Sequence, residues 1–402
     1  MHMLTKSPNT VFLKNTGGSL FIFFFLFIMA VSCNGKKKWE LEAQQPSLTT
    51  YISLQEGKTT NFEDCVQDIH FIPLQTTDSS LLATIDKAIF YKDRYYLLDR
   101  TYSSLKVFNT DGSFVGSIGK LGQGPGEFTT LKDFILSPPT KRLLLLCNDK
   151  RSLLEFDLNG KYIRSIRNDL AASSFDTLGN HYFYFINQNE SPLSKQFDLL
   201  VVDTGGKVER RLFNFSNLFH VEVGFSGFLT KNEEGLLFSC PFADTVFQIN
   251  NDKIYPKYIY SFGENAMPDS IKSSYDLFLK EGLKYAYLGN SIIENDSFLS
   301  FSYFEKANYN IGFYNKSRKN FKKVKTSESK GSIFSLMTAP VGLKNGDTFI
   351  SFMSAAGLRE QLTANKASGQ NTGSNHSYLD ERLIQLKNTD NPILATFKLR
   401  SF

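Results

Sequence analysis

The feature that most constrains this chain is a short pattern that returns at nearly equal intervals. Lys106-Val-Phe-Asn-Thr-Asp-Gly112 recurs as Leu154-Glu-Phe-Asp-Leu-Asn-Gly160 and as Leu200-Val-Val-Asp-Thr-Gly-Gly206. Later copies are Val246-Phe-Gln-Ile-Asn-Asn-Asp252 and Ile311-Gly-Phe-Tyr-Asn-Lys316. Phe108, Phe156, Val202 and Ile249 stand 48, 46 and 47 residues apart. Each copy ends an aromatic or β-branched run on Asn, Asp or Gly, the composition of a strand stopped by a hairpin turn. A period of about 40–50 residues holds one four-stranded propeller blade. The first unit shows it in full, with strand candidates at residues 87–91, 95–99, 105–109 and 114–118.

Extending that unit predicts an all-β chain, a six-bladed β-propeller with short helical insertions. The blades are expected at about 83–120, 129–168, 172–214, 222–262, 284–326 and 334–399. The step from Ile249 to Tyr314 is 65 residues, and the surplus has helical spacing at Ile271, Tyr275, Leu277 and Phe278 between the fourth and fifth blades. The sixth blade reads as split. Residues 334–343 and 347–353 are expected as its inner strands, and 391–399 as its third, after an insertion at 354–390. Residues 69–74, upstream of blade one, supply the missing fourth strand. Strands from both termini then close the ring and leave no open sheet edge.

Before the repeats, residues 1–32 hold Lys6, Lys14, no acidic residue and an apolar run from Leu20 to Val31. That run is too short for a spanning helix, which needs ~20 residues, and reads as a cleaved secretory signal. Ala30-Val-Ser-Cys33 resembles the lipobox of bacterial lipoproteins, with Ala30 where Leu is usual. The resemblance implies that Cys33 carries lipid and anchors the chain to a membrane. Residues 33–53 then form a lipidated tether, with Gly35-Lys-Lys-Lys38 at its membrane end, and the propeller domain occupies 54–402. No acidic run follows Cys33, which favours an outer-membrane lipoprotein facing the periplasm.

Phe71-Ile-Pro-Leu-Gln-Thr-Thr, the first blade with its link Gly122-Gln-Gly-Pro-Gly-Glu-Phe128, and Asn391-Pro-Ile-Leu394 together resemble the six-bladed β-propeller lipoproteins of Gram-negative gut-type bacteria, relatives of the NHL-repeat propellers. The similarity covers most of residues 50–402. It implies fold and envelope location, and no settled activity. The later blades lack a GPGEF-type link.

Composition narrows the function. Without the two signal lysines the chain has 43 basic against 40 acidic side chains, and nucleic acid is not an expected partner. Cys65, Cys147 and Cys240 are too few and too far apart for a disulfide framework or zinc site and read as buried thiols. His70, His181, His220 and His376 stand apart from one another, so neither a metal nor another cofactor is expected. The glycine link lacks a following Lys-Ser/Thr and precedes a strand, so it reads as a turn rather than a phosphate cradle. No nucleophile elbow or zinc-hydrolase motif occurs.

What remains is a binding module for a carbohydrate, peptide or envelope protein. The alternative is a glycan hydrolase or lyase whose carboxylates lie far apart in sequence. Asp99, Asp149 and Asp244 follow inner strands and are the acids to watch at the channel mouth, unless they cap turns. Every long insertion, at 120–128, 187–196, 263–284 and 354–390, belongs to the links that open on one face. Arg100, Lys150 and Arg151 are expected on that face, with Arg359 of the last insertion, as ligand-binding cations.

Overall fold

The computed structural model describes residues 39, 41, 42, 48–219, 224, 228–325, 332–367 and 381–402. The signal sequence, the lipid attachment at Cys33, the lysines 36–38, His220 and His376 lie outside the described residues. Six small antiparallel sheets stand in a ring as a six-bladed β-propeller. Within each blade the strands run A to D from the axis outward. Blade one is Lys87–Tyr91, Arg94–Asp99, Ser104–Asn109 and Phe114–Ser117. Blades two to four follow at residues 133–167, 174–214 and 228–261, and blade five spans 286–325.

The up-and-down order fixes two faces. Links between strands B and C, and from strand D to the next blade, open on one face, here called apical. The A–B and C–D hairpins open on the opposite, basal face. Alternation along each strand sends its apolar side chains toward the adjacent blades. The core is accordingly divided into wedges, one between each pair of blades. Leu98, Phe134 and Phe156 fill the wedge between blades one and two, and Phe298, Phe313, Phe349 and Phe397 the wedge between five and six.

The inner strands are also tied round the axis by polar contacts. Lys87 pairs with Asp133 at 2.9 Å, Asp133 accepts from the Phe175 amide, and Lys231 reaches the Thr177 carbonyl at 3.1 Å. Thr230 donates to the Ile292 carbonyl, Ser291 to the Pro340 carbonyl, and the Ala88 amide to the Val341 carbonyl. These contacts cross all six blade boundaries. At the last one the backbones come so close that a Cβ on Gly342 would lie 2.1 Å from the Ala88 carbonyl oxygen, so only glycine fits.

Blade six is built from both ends of the chain, with the order Gly342–Lys344, Thr348–Met353, Ile393–Leu399 and Val66–Pro73. Its inner strand differs from the expectation at 334–343. Residues Ile333–Leu336 form a 3₁₀ turn capped by the Ser332 hydroxyl. Phe334 turns inward to stack on Phe62, and Pro340 removes a ladder donor just before the short strand begins. The outer strand starts at Val66, three residues earlier than expected. The insertion after blade four is two short helices, Asp269–Lys272 and Tyr275–Glu281, rather than one. They are separated where the Ser274 hydroxyl caps the second.

The tether assigned to residues 33–53 is corrected over its described part. Thr50–Ser53 adds a fifth strand, parallel to Ile254–Ser261 of blade four, and Lys58–Thr60 does the same on blade five. Ile52 and Leu54 alternate inward and are 2% exposed. Trp39 is 3% exposed, edge-on to His181 and Phe183. A polar average over this segment hides three apolar residues at the right positions. Cys65 and Cys147 are buried free thiols, as expected.

Truncation after Asp390 removes strand C of blade six and exposes the edges of two others. The truncated chain is expected to aggregate on expression or to melt at least about 3 °C below the full domain, since a loss of even 2–3 kcal/mol shifts a domain of this size by roughly that much. Differential scanning calorimetry checks this, and an unchanged melting curve would refute closure by both termini.

Candidate apical binding cleft

The apical face is shaped by side chains that pin its links. Asp99, at the end of strand B in blade one, accepts from the amides of Ala83 at 2.6 Å and Tyr102 at 3.0 Å. Asp149 does the same in blade two, taking the amide and hydroxyl of Thr129 and the hydroxyl of Thr130. Asp244 is engaged by Thr245. Asp99 and Asp149 are therefore turn caps, while Asp244 accepts from the hydroxyl of its chain neighbour. The Asn391 side chain accepts from the Leu82 amide at 2.8 Å and donates to the carbonyls of Gln75 and Ser80. This is the physical role of the Asn391-Pro-Ile-Leu394 string, and sequence reasoning had no signal for it.

The glycine link is a structural clasp. Lys120–Leu121 and Glu127–Phe128 pair in parallel, and the Glu127 carboxylate folds back to accept from the Gly124 amide at 2.7 Å and pair with Lys120 at 2.9 Å. The Gly124 amide and Lys120 hold that carboxyl below its usual range. Gly126 sits at φ 75° with the Tyr162 ring 2.8 Å from where a Cβ would be, so no other residue fits that corner.

Between these pinned links, on the apical side of blade one, lies a cleft of about 620 Å³. Its walls come from the link entering blade one (Asp78, Leu81), the B–C loop (Thr101–Ser104) and the link leaving it (Gly119–Leu121, Phe128 and Thr129). Leu81, Tyr102 and Leu121 are 38%, 52% and 60% exposed, so three large apolar groups ring one opening. Lys106 lies in the wall and donates to the Ser79 carbonyl at 2.8 Å and the Ser117 hydroxyl at 3.1 Å. Burial draws its pKa down, and Asp99 opposes this. The Ser104 hydroxyl, also in the wall, has no partner among the described residues. Asp78 is the one carboxylate among the described residues that line the cleft.

The four cations expected here have other employment or stand alone. The Arg100 guanidinium donates to the Lys132 carbonyl at 2.7 Å, and Lys150 to the Gln123 carbonyl and side chain at 3.2 and 2.8 Å. Both steady the link between blades one and two. Arg359, on the helix Ala355–Ala367, donates to the Ile384 carbonyl at 3.2 Å and ties two parts of the blade-six insertion together. Arg151 is exposed in a left-handed turn at φ 46°. The cleft residues Tyr102, Lys106 and Leu121 had no catalytic or binding signature in the sequence. An aromatic and a leucine in loops, where such residues are usually buried, were the available hint.

A second apical feature is Asp198, the second residue of strand C of blade three, which is fully buried. One of its carboxyl oxygens accepts from the Gln188 amide at 2.7 Å, and the other has no partner among the described residues. Burial pushes its pKa up to about 7. It holds a strained loop, since Asn187 and Gln188 both have positive φ. Burial and this carboxyl also keep the Cys240 thiol protonated.

Ring, clasped links and apical cleft together define a propeller-type protein with one elaborated face. Residues 49–398 match the family described as a domain of unknown function, DUF4934, and the chain belongs to that family. Among solved structures it is similar to a protein of Bacteroides fragilis NCTC 9343 designated as exported, with TM-score 0.71 and 18% identity over 88% of this chain and all of that one. A member of the DUF4221 family from Bacteroides vulgatus is similar with TM-score 0.55 and 11% identity, over 84% of this chain and 98% of that one. A comparison with curated proteins finds no match.

Asp198 gives a pH prediction. A carboxyl raised from about 3.9 unfolded to about 7 folded binds its proton on folding, so its stability contribution is intact at low pH and lost as pH rises through that window. Relative to Asp198→Asn, the wild-type domain should lose about 2–3 kcal/mol between pH 5 and pH 8. Urea unfolding across that range measures the difference, and parallel curves would contradict it.

Proposed function

We propose that this protein is an envelope-anchored binding module that takes a carbohydrate into the apical cleft of blade one. The observation that carries the reading is the composition of that cleft. An exposed tyrosine ring and two leucines can cover the apolar face of a sugar, while the Ser103 hydroxyl and the third donor of the Lys106 ammonium stand beside them to meet its hydroxyl groups. The walls are set in advance by Asn391, Asp99 and Glu127, so little ordering cost falls on binding.

Binding is favoured over glycan hydrolysis by the count of acids. Hydrolysis needs two carboxylates flanking the scissile bond, and among the described residues the cleft has Asp78 alone, while Asp99 and Asp149 are occupied as caps.

Attachment to the envelope follows from the signal-like residues 1–32 and from Cys33, which we read as the diacylated residue of a periplasm-facing outer-membrane lipoprotein. The resemblance of the fold to a protein designated as exported agrees with that location.

A glycan array on the soluble fragment from residue 34 should return oligosaccharide ligands. The double variant Tyr102→Ala and Lys106→Met should bind them at least about tenfold more weakly by calorimetry with an unchanged melting temperature, the loss expected for removing one anchoring contact of ~1.4 kcal/mol or more. Undiminished binding by that folded variant would move the site elsewhere, and an array that returns no oligosaccharide ligand would overturn the carbohydrate reading.

A further inference from the structure

We propose that the stretch between Cys33 and Trp39 is a leash too short to let the apical face meet the membrane, so that the basal face is held toward the lipid and the cleft looks away from it. This rests on Cys33 as the lipid-bearing residue and goes beyond it by assigning an orientation.

At Trp39 the chain is fixed to the basal side of blades three and four. The Trp39 indole N–H donates to the Asn250 carbonyl and its amide to the Asp252 carbonyl, both at 3.1 Å, and both acceptors lie in the basal C–D hairpin of blade four. Its ring packs edge-on against His181, the first residue of strand B in blade three and therefore also basal, with centroids 4.5 Å apart. Three residues on, the Glu42 amide donates to the Ile254 carbonyl at 2.8 Å, and Glu42 pairs with Lys253 at 3.3 Å.

Chain length then decides the orientation. Residues 34 to 38 separate Cys33 from Trp39, giving six Cα steps. Fully extended, six steps reach about 22 Å. Strand D of blade four, Ile254–Ser261, starts beside Trp39 and has eight residues. At about 3.3 Å per residue it rises roughly 26 Å toward the apical side. The 3₁₀ turn Gly263–Asn265 and the two helices of the following link lie beyond its apical end. A membrane laid across the apical face would therefore be out of reach of a lipid on Cys33, whereas a membrane below the basal hairpins is within reach. The lysines 36–38 on the leash suit an anionic lipid surface there.

The test uses full-length protein isolated with its lipid and reconstituted into vesicles of phosphatidylcholine and phosphatidylglycerol with a nitroxide on the lipid headgroup. Asn251→Cys, on the basal hairpin of blade four, and Lys280→Cys, on the apical link helix, carry the same fluorophore in separate preparations, with the unlabelled-site parent as control. Quenching at position 251 is expected to exceed that at 280 by at least threefold. Inserting 20 Gly/Ser residues between Lys38 and Trp39 should bring the two within a factor of 1.5 while the protein stays bound. Equal or reversed quenching in the parent chain, or a difference that survives the insertion, overturns the leash. Acyl mass on Cys33 and release of Cys33→Ser from membranes are read in the same experiment. If Cys33 proves unmodified, the anchor and the orientation fall together; if it is acylated and the quenching is equal, the orientation alone falls.

Discussion

The antiparallel pairing of Ile393–Leu399 with Val66–Pro73 is the contact on which the other features depend. A propeller is a sheet system with a seam, and an open seam exposes the edges of the blade it interrupts. Here the seam lies within blade six, so its ladder hydrogen bonds join residues more than 300 positions apart. The apolar wedges on either side, around Phe397 and around Leu394, form only once that pairing exists. The N-terminal segment then lies along the outer edges of blades four and five before it supplies the closing strand, and these two parallel additions cover edges that the ring itself leaves open. Long-range pairing of this kind is slow to form and cooperative once formed.

Much of the fold was legible because blades repeat. Phe108, Phe156, Val202 and Ile249 occupy equivalent places, and their Asn, Asp and Gly neighbours must turn in the same way each time, so spacing alone predicts the sheets. The closing strand was legible for a different reason, the alternation in Ile69-His-Phe-Ile-Pro-Leu74. What escaped lacks a period. Thr50–Ser53 and Lys58–Thr60 are four and three residues long and gain their structure by pairing with strands some 200 residues or more away. The segment at 334–343 is rich in apolar residues and was expected as a strand, yet Ser332 and Pro340 favour a capped turn and a late start.

The candidate site was less legible still. Basic residues after strand ends drew attention to Arg100 and Lys150, and both do lie at the blade-one to blade-two link, where backbone carbonyls take up their hydrogen bonds. A guanidinium near a turn satisfies orphan carbonyls as readily as it meets a ligand, and sequence cannot separate the two. Tyr102 and Leu121 became visible only because the link folds back through Glu127 and leaves them exposed around one opening. The apical face thus owes its shape to carboxylates and amides that hold loops. Asp99, Asn391 and Glu127 act at blade one, and Asp198 acts at blade three with a proton near neutrality as part of its structure.

The ring is sealed by the two ends of the chain and bound at its outer edge by the segment before the seal. Native-state hydrogen exchange read by mass spectrometry reports each part separately. Peptides covering residues 66–73 and 393–399 are expected to exchange as slowly as those covering the inner strands of blades two and three, with residues 50–60 slower than the apical links. Rapid exchange at 66–73 or 393–399, with the other blades still protected, would contradict the account by showing a propeller that holds together without its seam.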